Sequence, residues 1–506
     1  MAKVIVLGAG IAGVPAAYGL RERLGPEDQV TVVSNRDRFQ FVPSNPWIAV
    51  GLRKATDTEF PIGEQFRDRG IEFKVDPVER IDPGAGTVAL RSGDHLAYDY
   101  LVLATGIAPA WGTVKGVEPV GNVHSVIRLG EAVKAFEAYQ RFLTNPGPIV
   151  VAATQNASIL GPVYEYAFLL DADLRRRGIR GRVPITLITP EPYPGHLGVG
   201  SDSVRQPLEN ALASSDIQWI GNAETVAVDA ETIHLRVHGS AGVQSLEISF
   251  EYAMYWPEFR GIDACCASAE LCDERGLLPV NDQLQARGFP SVFGIGTCVA
   301  RVPSGQTPVA IGTPDSVYAI QQEVDAAVHN VVAAKEHRAL ISARPARAQW
   351  IQDMGPHGAT YLSAPQIPLR TINWLRAGRW VYQAKREMED YFIEQVVLGS
   401  GPRGHVAQAV ERWRAQQTNE DRAEMSLQRI AIPLDEGRRQ RLQGLARLAG
   451  MDIQTLTLEL IDAALDDAMR ALNHDEQERL TRYQRESLTA ALDAEASAVA
   501  FEGGAP

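Results

Sequence analysis

Val4-Ile5-Val6-Leu7-Gly8-Ala9-Gly10-Ile11-Ala12-Gly13 is an apolar run that empties into a G-x-G-x-x-G loop, and Val14 to Leu20 continue as a helix. A strand, a glycine loop and a helix in that order make a dinucleotide clamp. Gly8 permits the tight turn, and Gly10 lets backbone approach the pyrophosphate. Gly13 lets helix and strand pack closely, so the helix start faces the phosphates, with Ile11 and Ala12 between. The chain has one glycine loop in this strand–loop–helix context.

A second strand–turn–helix pattern begins at Pro148-Ile149-Val150-Val151, where two-dinucleotide flavoenzymes repeat the clamp. Here Ala152-Ala153-Thr154-Gln155-Asn156-Ala157-Ser158 contains no glycine. Side chains then stand where a second pyrophosphate would lie. The expectation is FAD without NAD(P)H. The strand Gln29–Val33 ends in Ser34-Asn35 and lacks the usual acidic residue; a hydroxyl and an amide contact the ribose more weakly than a carboxylate. The strand Tyr98–Leu103 ends in Ala104-Thr105-Gly106, a small-residue turn suited to close passage over a flavin. No Cys or His in these early segments offers a covalent link, so the FAD is expected to be non-covalent.

The 506 residues suit several domains. A net charge of −13 argues against general affinity for nucleic acid or anionic lipid. Four cysteines in this length do not suggest a disulfide framework, and no apolar run is long enough to span a bilayer. A core strand starting at Lys3 leaves no room for a signal peptide, so a cytoplasmic location is expected. The layout reads as residues 1–110 for the FAD unit, 111–260 for a degenerate second unit, and 261–335 for a return to the first. Residues 336–415 follow as a helical region, and 420–506 as an appended module.

Several segments together resemble the sulfide:quinone oxidoreductases and the related flavocytochrome c sulfide dehydrogenases, across roughly residues 1–400. They are Phe39-Gln40-Phe41-Val42-Pro43-Ser44-Asn45-Pro46-Trp47, Gly161-Pro162-Val163-Tyr164-Glu165 and Pro190-Glu191-Pro192-Tyr193-Pro194-Gly195-His196-Leu197-Gly198. Pro257-Glu258-Phe259-Arg260-Gly261 and Thr307-Pro308-Val309 with Gly312-Thr313-Pro314 complete the set. The resemblance implies an α/β fold of two Rossmann-like dinucleotide-binding domains, of the disulfide-reductase flavoprotein type, with a helical C-terminal region. It further implies FAD, contacts from segments such as that holding Pro46, a reduced sulfur donor, a quinone acceptor and a peripheral place on the membrane, on its inner face. The chain departs from the family in its cysteines. The catalytic Cys position holds Ile159, the second falls near Trp350, and a third, expected near Ser125 to Arg128, is absent. A lysine near the quinone is replaced by Asp315.

The polar candidates for chemistry are Glu165, His196 and Cys298. Glu165 would open a helix, either as a proton-handling group at the flavin or as an N-terminal carboxylate favoured by the macrodipole. His196 lies between glycines, where an imidazole either relays protons or bonds the loop. Cys298 follows Gly294-Ile295-Gly296; a thiol at a helix start has a lowered pKa, whereas a buried one is structural. Cys265, Cys266 and Cys272 cluster in a loop and read chiefly as structural. Gly296 and Thr297 stand where related reductases bind the FAD ribityl chain, with the Thr297 hydroxyl in place of an Asp.

Leu369, Ile372, Trp374, Leu375, Trp380, Val381 and Tyr382 recur near helical spacing, surrounded by Arg370, Arg376, Arg379, Lys385 and Arg386, which reads as an interfacial anchor or as a helix pair packed on the flavin domains or in a dimer interface. From residue 425 a strand–helix–helix order resembles ribbon-helix-helix domains. Residues 421–506 carry 10 Arg, no Lys and 16 Asp plus Glu, a net of −6 (10 − 16). That balance favours a homo-oligomerising module over nucleic-acid binding. The function expected is FAD-dependent electron transfer from a reduced, sulfur-type donor to a quinone. The alternative is a catalytically degenerate FAD protein serving as an assembly or interaction component.

Overall fold

Two parallel sheets organise the chain, each fed by the continuous apolar runs that strands buried on both faces require. The computed structural model describes residues 1–198, 202–302, 305–343, 348–355, 359–364, 372–377 and 380–398. The first sheet has the order Gln285–Ala286, Phe289–Gly294, Tyr100–Leu103, Lys3–Leu7, Gln29–Ser34, Glu72–Val75. Its central register pairs Val4 with Val30 and with Tyr100. The helix Gly13–Arg23 packs on this sheet and against Val317–Lys335, where a β-carbon on Gly19 would stand 3.2 Å from the Val328 methyls.

The second sheet has the order Val123–His124, Tyr252–Trp256, Ile149–Ala153, Ile185–Ile188, Ile217–Ile220, again parallel. Its strands Ile149–Ala153 and Tyr252–Trp256 are buried at every position. The expectation of two Rossmann-like units therefore holds. The alternating stretches near 224–237 and 243–255 divide further than their pattern suggested. Ala223–Val228, Thr232–Gly239 and Gly242–Ser249 form a separate antiparallel meander, and only Tyr252–Trp256 returns to the parallel sheet.

The region after residue 336 corrects the expectation of helices. Ala348–Gln352, Ala359–Ala364 and Ile372–Ala377 make a three-stranded antiparallel sheet, followed by one helix, Trp380–Leu398. Ile372, Trp374 and Leu375, which read as part of one amphipathic helix, belong to a strand. The helix turns Val381, Ala384, Met388, Tyr391 and Phe392 inward, and Phe392 meets Phe41 with ring centroids 5.5 Å apart. These inward residues thus cover the FAD unit. Leu369, the breaker cluster from Gly399 and the ribbon-helix-helix-like module of 420–506 lie outside the described residues.

Candidate functional site

The glycine loop has the geometry of a cradle. Gly8 takes φ +109°, where a β-carbon would stand 2.4 Å from the Ala104 carbonyl oxygen; one on Gly13 would stand 1.9 Å from the Gly8 oxygen. Both positions are closed to any side chain. Gly10 is different: its missing β-carbon faces open space, with nothing within 4 Å. That space belongs to a cleft of about 1120 Å³, large enough for a dinucleotide. Gly8, Gly10, Ile11, Ala12, Ser34, Asn35, Pro46, Ala104, Thr105, Gly106, Gly296 and Thr297 all line it, while Gly13 sits behind as packing. The donors suit a long anionic cofactor. A helix start and bare backbone face one stretch, and Ser34, Asn35 and Arg36 stand at the end of the second strand.

The second unit adds Ile159, Gly161, Pro162 and Glu165 to the lining of the same cleft. Its turn is filled by protein. The Asn156 N–H donates to the Ala310 carbonyl (2.7 Å), Gly312 N–H to the Ala157 carbonyl (3.0 Å) and Ile159 N–H to the Thr313 carbonyl (3.2 Å). A β-carbon on Gly312 would stand 2.2 Å from Ser158 Oγ, so the two strands of backbone are pressed together. Asn156 and Ile159 take φ of +59° and +58°; for the β-branched Ile159 this is a strained conformation held by those contacts.

Glu165 does not open its helix. The helix runs Gly161–Arg176 after Leu160, which places Glu165 in the second turn, away from the unpaired N–H groups. It is buried and ion-paired with Lys385 from the helix Trp380–Leu398; both side chains line the cleft. Burial pushes the Glu165 carboxyl up to about 7, Lys385 pulls it down, and Asp353 pushes it up. Around the pair, Trp47 donates its indole N–H to Asp353 (2.8 Å) and receives Lys385 and Arg53 over its ring, both at 4.6 Å. Arg53 Nε pairs with Glu389 at 2.8 Å, and Ser44 donates to the same carboxylate.

Cys298 and His196 are not among the residues lining the cleft. Cys298 ends a three-residue 3₁₀ turn, Gly296–Cys298, and lies in the core under the first sheet with Cys265 and Cys272. Its thiol donates to the Leu103 and Ile295 carbonyls, and burial pushes it up to about 12, opposite to the lowering expected of a helix start. Cys265, hydrogen-bonded to Cys272 and buried, is raised as well. Such thiols are inert. His196 is buried edge-to-face on Tyr193, in a loop tied by Glu191, which accepts from the Tyr164 hydroxyl and the Leu197 N–H.

Of the positions that the family resemblance assigns to cysteine, Ile159 lines the cleft and Trp350 lies in the strand Ala348–Gln352. Ser125 donates to Glu131 at the start of the helix Leu129–Phe142. Sequence reasoning missed Asp353 and Arg301, and placed Lys385 only among the basic residues flanking the amphipathic stretch. Lys385 did carry a signal: it interrupts the apolar stripe Val381, Ala384, Met388, Phe392 of its helix.

Among known proteins, the Pyridine nucleotide-disulphide oxidoreductase family model matches residues 2–323. The Sulfide-quinone reductase of Aquifex aeolicus is 33% identical over 404 residues, 79% of this chain and 92% of that one. The X-ray structure of the sulfide:quinone oxidoreductase from that hyperthermophilic bacterium superposes with a TM-score of 0.75 at 31% identity, covering 86% of this chain and 98% of its own. The mouse mitochondrial Sulfide:quinone oxidoreductase is 24% identical over 62% of this chain and 69% of that protein. NDH2 from Plasmodium falciparum, at 13% identity and a TM-score of 0.59, shares the fold, over 78% of this chain and 97% of its own. A single glycine clamp opening on a dinucleotide-sized cleft, and a second unit whose turn is closed by backbone, accompany these matches: the chain belongs to the sulfide-quinone reductases within the pyridine nucleotide-disulphide oxidoreductase family.

Proposed function

We propose that this protein is an FAD-dependent oxidoreductase that passes electrons from sulfide, or a similarly small reduced sulfur compound, to a quinone. The observation that carries the reading is one cleft lined by both an open glycine cradle and the buried Glu165–Lys385 pair. FAD, when bound, supplies the two-electron carrier between donor and acceptor. Gly8 to Ala12, Ser34, Asn35, Ala104 to Gly106, Gly296 and Thr297 hold it, without a covalent bond.

The balance HS⁻ + quinone + H⁺ → S⁰ + quinol consumes one proton. Glu165, with its carboxyl near 7, exchanges a proton readily at neutral pH: its protonated form gives that proton toward an acceptor oxygen in the cleft, its ionised form pairs with Lys385, and Lys385 donates a hydrogen bond to the same acceptor oxygen. His196 and Cys298 carry no step in this reading. Ile159 and Trp350 leave no thiol pair to accept sulfur, so the oxidised sulfur leaves without a protein persulfide. The filled turn at 156–159 supports a reaction without NADH. The relatives are named for reductase activity, which favours an enzyme over an assembly component.

A quinone dissolves in lipid, so we place the protein peripherally at the cytoplasmic face of a membrane; among the described residues no helix is long and apolar enough to cross one. Homo-oligomerisation we assign to residues 420–506. The test is anaerobic mixing with sulfide and then a short-chain ubiquinone, following the flavin band. Bleaching and recovery are expected. A flavin reduced by dithionite but untouched by sulfide overturns the donor, and a colourless protein overturns the whole reading.

A further inference from the structure

Behind the Glu165–Lys385 pair stands Asp353, which is tied to both members yet is not among the residues lining the cleft. The strand Ala348–Gln352 ends against the helix Gly161–Arg176, and the chain then follows that helix. A β-carbon on Gly161 would stand 2.0 Å from Gln352 Nε2, and one on Gly355 would stand 3.0 Å from the Ala172 β-carbon. Asp353 falls between these two contacts, and its backbone hydrogen-bonds the Glu165 carboxyl.

The Asp353 side chain points the other way, toward Trp47. The residue is only 2% exposed, and each carboxylate oxygen accepts an N–H: Oδ2 from the Trp47 indole at 2.8 Å, Oδ1 from Gly355 at 3.0 Å. Trp47 is fully buried, with its ring centroid 5.4 Å from that of Tyr382. Lys385 Nζ lies 4.6 Å from the centre of the indole. A cation over an indole face is held by the ring quadrupole, most strongly away from water. Asp353 therefore reaches Glu165 through its backbone and Lys385 through the Trp47 ring.

We propose that Asp353 is a positioning residue for the quinone step: together with Trp47 it holds Glu165 and Lys385 in the one mutual arrangement that serves an acceptor oxygen in the cleft. A free glutamate or lysine samples many rotamers, and a productive geometry costs that freedom. Here the freedom is removed before the acceptor arrives, which is where positioning gains rate. Trp47, Glu165, Asp353 and Lys385 come from distant parts of the chain and act as one unit. The inference rests on the quinone reading above.

The test follows reoxidation of the FAD-loaded protein by a short-chain ubiquinone in stopped flow, after anaerobic reduction with one equivalent of dithionite. Asp353→Asn and Trp47→Phe are each made in the parent and in Lys385→Met. The Asn variant removes the charge, and the Phe variant keeps a ring face but loses the N–H. Flavin content and bleaching by sulfide should match the parent. Reoxidation should slow about tenfold in Asp353→Asn and about threefold in Trp47→Phe. In the Lys385→Met background neither change should slow it further, because the ring has no cation left to hold. Structural damage would slow both backgrounds alike. Should one variant fail to fold, the other carries the same comparison. Equal slowing in the two backgrounds, or none in the parent, overturns the proposal and leaves the enzyme reading intact. A reduced parent protein that the quinone does not reoxidise overturns both, and shows it without any variant.

Discussion

The two Rossmann-like units began with the same plan and ended differently. In the first, Gly10 leaves an opening that a ligand fills. In the second, Asn156, Ala157 and Ile159 bond to Ala310, Gly312 and Thr313, and backbone fills the equivalent turn. One turn is a socket and the other a seam. The difference teaches that losing glycines does more than weaken a clamp. Once side chains stand there, another segment satisfies the exposed N–H groups that a pyrophosphate would have satisfied.

The largest expected effect comes from making the socket resemble the seam. Gly10→Leu projects into open space, so circular dichroism should be unchanged while FAD affinity falls at least about 100-fold, about 2.7 kcal/mol. Parental flavin content in that variant breaks the comparison. Next comes the Glu165–Lys385 pair. Lys385→Met leaves Glu165 buried without its cation; quinone reduction should fall about 100-fold, and urea unfolding should show a loss of about 3 kcal/mol. A smaller effect sharpens the role of Glu165. Its folded pKa is about 7 against an ordinary 4.5, so the folded state keeps a proton that the unfolded chain releases. Stability should therefore fall as pH rises from 4.5 to 7, and Glu165→Gln should remove that slope. Smaller still is Cys298→Ala, expected to cost about 1 kcal/mol of stability and to leave flavin reduction near the parental rate. No bleaching at all is expected from NADH; bleaching by it would show the seam to be open.

The socket was legible because its signal is local: an apolar run, three glycines and a helix within ten residues of Val4. The parallel strands around it were legible for the same reason. The proton site was half legible. Glu165 stood out in its motif, but its partner lies 220 residues away, and no local pattern joins them. Cys298 misled because the helix-start rule assumes aligned peptides over several turns, whereas the thiol ends a 3₁₀ turn of three residues and faces two carbonyls. The sheet at 348–377 was misread as helix because apolar residues were counted across Pro365, Pro368 and Gly378.

The seam also constrains ancestry and engineering. Reverting Ala157 or Asn156 to glycine would not recreate a nicotinamide pocket, because the chain segment lying across it comes from the other unit and would have to be rerouted. A lineage that adopts this crossing has closed the way back by single steps, and a designer wishing to couple this scaffold to pyridine nucleotides must rebuild residues 308–314 before touching the turn itself.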